Sequence, residues 1–271
     1  GGGLAYYNGV ASTLDVSLGS AGGAVGNGGA INLENAGNIW TEGLAAHGVF
    51  LQSIGGGGGA VYTSALGTLP TISLNNAGVG DGGAISFTQT GNISATGVGS
   101  YGVFAQSLGG GGGVVNDLFA GTAGGAGRGG SISLDITGDV MALADGMSAI
   151  WAQSDGADGG GDISISVTGG GSVIGGLGGA GITIVGGNNN SILVDGVVGT
   201  LDNLDGVAIT TGESVARGND TVFNFGTTFG SLSLGSGDNF FRNEEGAVFY
   251  AGSLVQLDIE RTGSDTVGTL F

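Results

Sequence analysis

Apolar and polar residues alternate in four short stretches of this chain, "AINLEN" from Ala30, "AISFTQ" from Ala84, "SISLDI" from Ser131 and "DISISV" from Asp162. A period of two is the signature of a strand with one buried face. It predicts that Ile31, Ile85, Ile132 and Ile163, followed by Leu33, Phe87, Leu134 and Ile165, share an inner face. A shorter strand is expected after each of the first three, in "GNIWTEG", "GNISATG" and "GDVMALADG". Asn38, Asn92 and Asp139 open these segments at matching positions, and such side chains favour turns and bond nearby backbone. A third strand follows in "GVFLQSI", "GVFAQSL" and "AIWAQSD". No stretch of ten residues carries a convincing helical period.

The three strands recur as a unit. Residues 28–59, 82–113 and 129–159 hold one copy each, separated by insertions at 60–81 and 114–128, and the third copy runs directly into the next. Residues 1–27 read as the tail of an earlier unit, with glycines and then an insertion-like stretch. That beginning, at Gly1, is expected of a processed product or an excised segment. Pentaglycine closes the first two units, and a hinge between domains would have no reason to follow the same strand each time. Glycine at a corner accepts positive φ and close backbone approach, and stacked neighbours can order such a tract. The expected fold is therefore all-β, a right-handed parallel β-solenoid (β-helix) with glycine-rich corners and variable insertion loops. Residues 1–170 would hold the 31–32-residue units, and 171–271 would continue the solenoid in shorter, less regular ones.

Composition narrows what such a solenoid could do. The chain has 271 residues, 67 of them glycine, and is 40% hydrophobic, enough apolar side chains to fill a core. Four basic residues, all arginine, stand against 22 acids, for a formal charge of -18. No basic stripe can be assembled to displace counterions from phosphates, so nucleic acid is excluded as a partner. Anionic membrane surfaces would repel the chain, and no apolar run reaches the length of about 18 residues needed to span a bilayer. Cysteine is absent, so repetition rather than disulfides must hold the fold together.

Candidate chemistry is sparse. His47 is the only histidine, and the other units have Tyr101 and Ser148 in its place, which marks a surface position rather than a catalytic base. Asp155, Asp158 and Asp162 replace the pentaglycine of the other units and read as solvated turn residues. Calcium is the one cofactor they could hold, and otherwise none is expected. "GNDTVFNFG" and "GSGDNFF" carry half of a calcium-binding nonapeptide, but without a tandem array Asp220 and Asp238 read as turn residues. No catalytic residue and no metal ligand is assigned, and the chain is not expected to be an enzyme.

The recurrent polar positions are Gln52, Gln106 and Gln153, beside Ser53, Ser107 and Ser154. Alternation puts each glutamine on the face of Phe50, Phe104 and Trp151. Two readings stand open. The row could bind sugar hydroxyls beside an aromatic platform, or the amides could stack between coils as a hydrogen-bonded ladder. The ladder is favoured, with Asn38, Asn92 and Asp139 forming a second one.

The combination of "GGAIS", "TGNISATG", "GVFAQSLGGGGG" and "GSGDNFFRNEEGAVFYAG" resembles the glycine-rich passenger regions of large bacterial autotransporters (type V secretion), many of them adhesins. The resemblance implies a parallel β-helix exported through an outer-membrane β-barrel whose own strands are not recognisable here. It carries over no catalytic or ligand residue. The function it implies is extracellular and adhesive, attaching a bacterial cell surface to surfaces, glycans or neighbouring cells. The alternative is a subunit of a surface filament built by end-to-end stacking, and a glycan-active β-helix enzyme stands behind both.

Overall fold

The computed structural model describes residues 3–7, 15–20, 25–56, 59–63, 71–76, 79–111, 113–115, 118–120, 126–212, 218–258 and 269–270. Among these the chain winds into parallel coils, each contributing one strand to every side of a β-solenoid. The first side stacks Ile31–Asn35, Ile85–Gln89, Ile132–Ile136, Ile163–Val167, Asn189–Val194, Asn219–Asn224 and Phe240–Asn243, with Thr269–Leu270 at its edge. The second begins with Ile39–Thr41, Ile93–Ala95, Val140–Ala142, Ser172–Gly175 and Val197–Thr200. The third begins with Val49–Ile54, Val103–Leu108, Ile150–Asp155, Ala180–Gly186 and Val207–Gly212.

Register is set by the inner face. Ile31 pairs with Ile85, Ile85 with Ile132 and Ile132 with Ile163, so four isoleucines form one continuous row. The last three are 2% exposed or less, while Ile31 packs half-buried at the edge of the same core. A slip of one residue would turn every such side chain to the opposite face, so the stacked isoleucines fix the pairing. The core is completed by inward residues of the other sides, among them Val103, Ala105, Val140 and Ile150.

The coils narrow toward the C-terminus. In the fifth coil a 3-10 turn at Asn203–Asp205 still separates the second side from the third. In the next coil no corner intervenes, and Thr227–Ser233 runs along both: Val197 and Val198 pair with Thr227 and Thr228, while Ile209 and Thr210 pair with Leu232 and Ser233. Gly230 takes the bend at φ 117°. The two sides thus become one twelve-stranded sheet folded back on itself. The spacing between hydrogen-bonded coil positions falls from 30 residues at Asn190–Asp220 to 19 at Asp220–Asn239.

Inside the insertions, most of the described residues form strands as well. Gly3–Tyr7 pairs in parallel with Gly59–Thr63, which pairs in parallel with Gly113–Val115, and Asp15–Ser20 pairs in parallel with Thr71–Asn76. Gly3 stands opposite Gly59, so the opening stretch occupies the place of an insertion. Leu118–Ala120 returns antiparallel to Gly113–Val115, residues 79–81 and 126–128 lead into the next units outside any strand, and the rest of 60–81 and 114–128, expected as loops, lies outside the described residues.

Candidate functional site

Each side of the solenoid presents an outer face of different chemistry. On the first side the outward residues are polar: Asn32, Ser86, Ser133, Ser164 and Ser191 lie in one row. The second side carries Trp40, Ser94, Met141 and Ile174 in its outward row. The third carries the glutamines and aromatics.

That third face is a closed structure. Gln52 Nε2 donates to Gln106 Oε1 at 2.7 Å, and Gln106 Nε2 donates to Gln153 Oε1 at 2.9 Å. Beside them Phe50 stacks on Phe104 and Phe104 on Trp151, with centroids 4.9 and 4.8 Å apart and planes within 14°. Phe104, Trp151, Gln106 and Gln153 are buried, although their strands turn the opposite face to the core, where Val103, Ala105, Ile150 and Ala152 pack. A buried amide row offers nothing to a glycan. Phe50 and Gln52, in the first coil of the row, stay partly open.

His47 does not sit at a free surface position, as its variation between units suggests. It stacks against Phe50 and Phe104, and its Nδ1 accepts the backbone N–H of Tyr101 at 3.1 Å. Burial lowers its pKa to about 4, so the ring is neutral at physiological pH. Tyr101, at the same position of the next coil, packs against Phe104 and Trp151 in turn.

The serines and corner residues bind successive coils to one another. Ser107 Oγ donates to Gly83 O of its own coil and accepts from Gly130 N of the next, both at 2.8 Å. Ser53 and Ser154 repeat this clamp. Asn38 Oδ1 accepts from Asn92 N at 2.8 Å, Asn92 Oδ1 from Asp139 N at 3.0 Å, and Asp139 Oδ1 from Ser172 N at 3.1 Å and its hydroxyl at 2.6 Å. A parallel corner ladder, not foreseen, runs from Asn27 to the N–H of Asp81 and from Asp81 to that of Arg128.

Of the suspected calcium carboxylates, Asp158 and Asp162 are exposed turn residues, and Asp162 accepts from Asn189 N and Asn188 Nδ2. Asp155 departs from expectation, being buried with Oδ1 accepting Gly156 N at 2.7 Å. No group of three or more His, Cys, Asp or Glu residues that could hold a metal occurs among the described residues. Asp238 is an exposed turn residue, but Asp220 is not. Asp220 continues the inner isoleucine row through Asn190 and meets Asn190 Nδ2 at 2.8 Å and Thr211 Oγ1 at 2.5 Å. Burial raises its pKa, against the opposing hydrogen bonds of Thr211, Asn190 and Gly235. Its place in "GNDTVFNFG" looked like a turn because the inner row had changed there from isoleucine to polar residues.

No protein-family model matches the chain, and no curated protein or solved structure is detectably similar to it.

Proposed function

We propose that this chain is an extracellular adhesive scaffold, a β-solenoid of a bacterial cell surface that holds its outer faces and insertions toward surfaces, glycans or neighbouring cells. The observation that supports this most directly is where the polar chemistry is used. The recurrent Gln, Ser and Asx side chains join coil to coil, and no cluster suited to holding a metal accompanies them among the described residues. A stack whose coils are joined in this way serves as a rigid support. Binding then belongs to the faces and loops the scaffold displays. The -18 charge keeps such chains apart in solution.

The test is attachment. Surfaces coated with the purified chain should retain cells or glycan-bearing beads above an albumin-coated control, and soluble chain should compete. Retention no higher than the control would remove the adhesive reading. End-to-end fibres under the electron microscope would instead favour the filament.

A further inference from the structure

The second side has an outer face that nothing described so far employs. Its strands send Ile39, Ile93, Val140 and Val173 inward, which forces the alternate residues outward. Those residues are Trp40, 70% exposed, and the half-buried Ser94, Met141 and Ile174, so the row is apolar but for one serine. At the adjoining corner Leu44, Val98 and Leu177 are 67%, 72% and 46% exposed, each on a tight turn of a different coil. With coils about 4.8 Å apart, these six apolar side chains line a strip on the order of 15 Å long. The equivalent row of the first side is mostly serine, and that of the third is buried. Scattered exposed apolar residues need no explanation, but six gathered along four successive coils, with Ser94 and Asp145 the polar residues between them, mark an interaction surface.

Charge identifies what covers it. Glu42, Asp145 and Asp205 are exposed along the same corner, Asp202 is half-buried beside them, and Asp139 and Asp195 stand at the opposite corner. The two arginines among the described residues are elsewhere: Arg128 reaches Gly160 O near the start of the first side, and Arg242 pairs with Glu244. A second copy of this chain would bring carboxylates against carboxylates. An anionic membrane meets the same repulsion. The geometry points to an apolar segment flanked by lysine or arginine, a cationic amphipathic stretch of another protein, as the occupant of this face. This rests on reading the chain as a binding scaffold and names the partner class.

The probe is a synthetic amphipathic helical peptide with leucine on one face and lysine on the other, set against its counterpart with glutamate for lysine. Trp40 reports contact, because the other of the two tryptophans, Trp151, is buried. The lysine peptide should shift Trp40 emission to the blue and saturate, with binding that weakens as salt rises. Leu44→Ser with Leu177→Ser leaves the charge unchanged, touches only exposed side chains, and should weaken binding at least ten-fold. Labelled peptide read by anisotropy against Trp40→Ser gives a second test that does not depend on the reporter.

Equal binding to the double variant would show capture by charge alone and overturn the proposal. Equal binding of the glutamate peptide, or concentration-dependent self-association that shifts Trp40 emission, would overturn it too. Attachment to cells separates the two readings. A double variant that loses the peptide while even the parent chain never retained cells leaves this surface standing and removes the adhesive function. Undiminished cell attachment by the double variant would overturn this face as the adhesive contact.

Discussion

Gln106 donates its amide hydrogen to Gln153 on a strand face that is buried and yet points away from the core. It also accepts from Gln52, so it is the middle rung. Gln106→Leu keeps the volume but deprives Gln52 of an acceptor and Gln153 of a donor. An orphaned buried polar group costs about 1–3 kcal/mol, and the Gln153 side is the more deeply buried. The variant should lose roughly 2–4 kcal/mol in urea denaturation by the same rule. A loss below 0.5 kcal/mol, about the floor for a hydrogen bond's net worth, would mean that the aromatic stack holds this face without the amides.

The doublet glycines of the repeat have a cause that composition alone conceals. A Cβ built on Gly83 would collide with the carbonyl of Gly29 in the preceding coil, whereas one built on Gly29 meets nothing within 4 Å. Gly83→Ala should therefore destabilise by about 1–3 kcal/mol, as overpacking does. Gly29→Ala should be neutral or stabilising by up to about 1 kcal/mol, through reduced freedom of the unfolded chain. Thermal melts of the two variants decide it, and equal losses would show that the motif serves backbone conformation instead.

The repeat unit was legible because burial and pairing both act with period two, so stacked isoleucines and stacked glutamines appear as aligned letters. Two things were not. The strip of Trp40, Met141 and Ile174 follows from the same alternation, but its three letters differ and no repeated identity draws the eye. Asp220 was hidden because shorter coils lose the apolar row that aligned the earlier ones: Ile163 is followed by Asn190, Asp220 and Asn239. What strand alternation could not supply is whether an outward face is covered. The third face is buried and the second is open, and their patterns of alternation are alike.

Ala45 occupies a left-handed turn with φ 52°, where the corresponding residues of the next three coils are Gly99, Gly146 and Gly178 at 74°, 75° and 69°. An L-residue pays about 1–2 kcal/mol for that conformation. Ala45→Gly should relieve it and, after the added freedom of the unfolded chain, raise stability by about 0.5–1 kcal/mol. An unchanged or lowered melting temperature would show that the methyl group makes a compensating contact.

Asp220 and His47 impose opposite pH dependences on the same fold. The pKa of His47 is lowered to about 4, so its contribution is complete above the unfolded value of 6.5 and is lost as pH falls through that interval. The pKa of Asp220 is raised, so its contribution is complete below the unfolded value of 3.8 and is lost as pH rises through the folded one. Near neutrality the buried carboxylate therefore weakens the fold. Asp220→Asn removes the titration, keeps an oxygen for Asn190 Nδ2 and turns a donor toward Thr211 Oγ1, which also accepts Gly235 N at 2.6 Å. The stability of the variant relative to the parent should rise as pH increases above 3.8 and level off once the folded carboxyl has ionised, measured as urea midpoints at each pH. In the variant alone, the acid weakening due to His47 should stand out more steeply. A stability difference that does not change with pH would mean that the Thr211, Asn190 and Gly235 hydrogen bonds offset the burial of Asp220 in full.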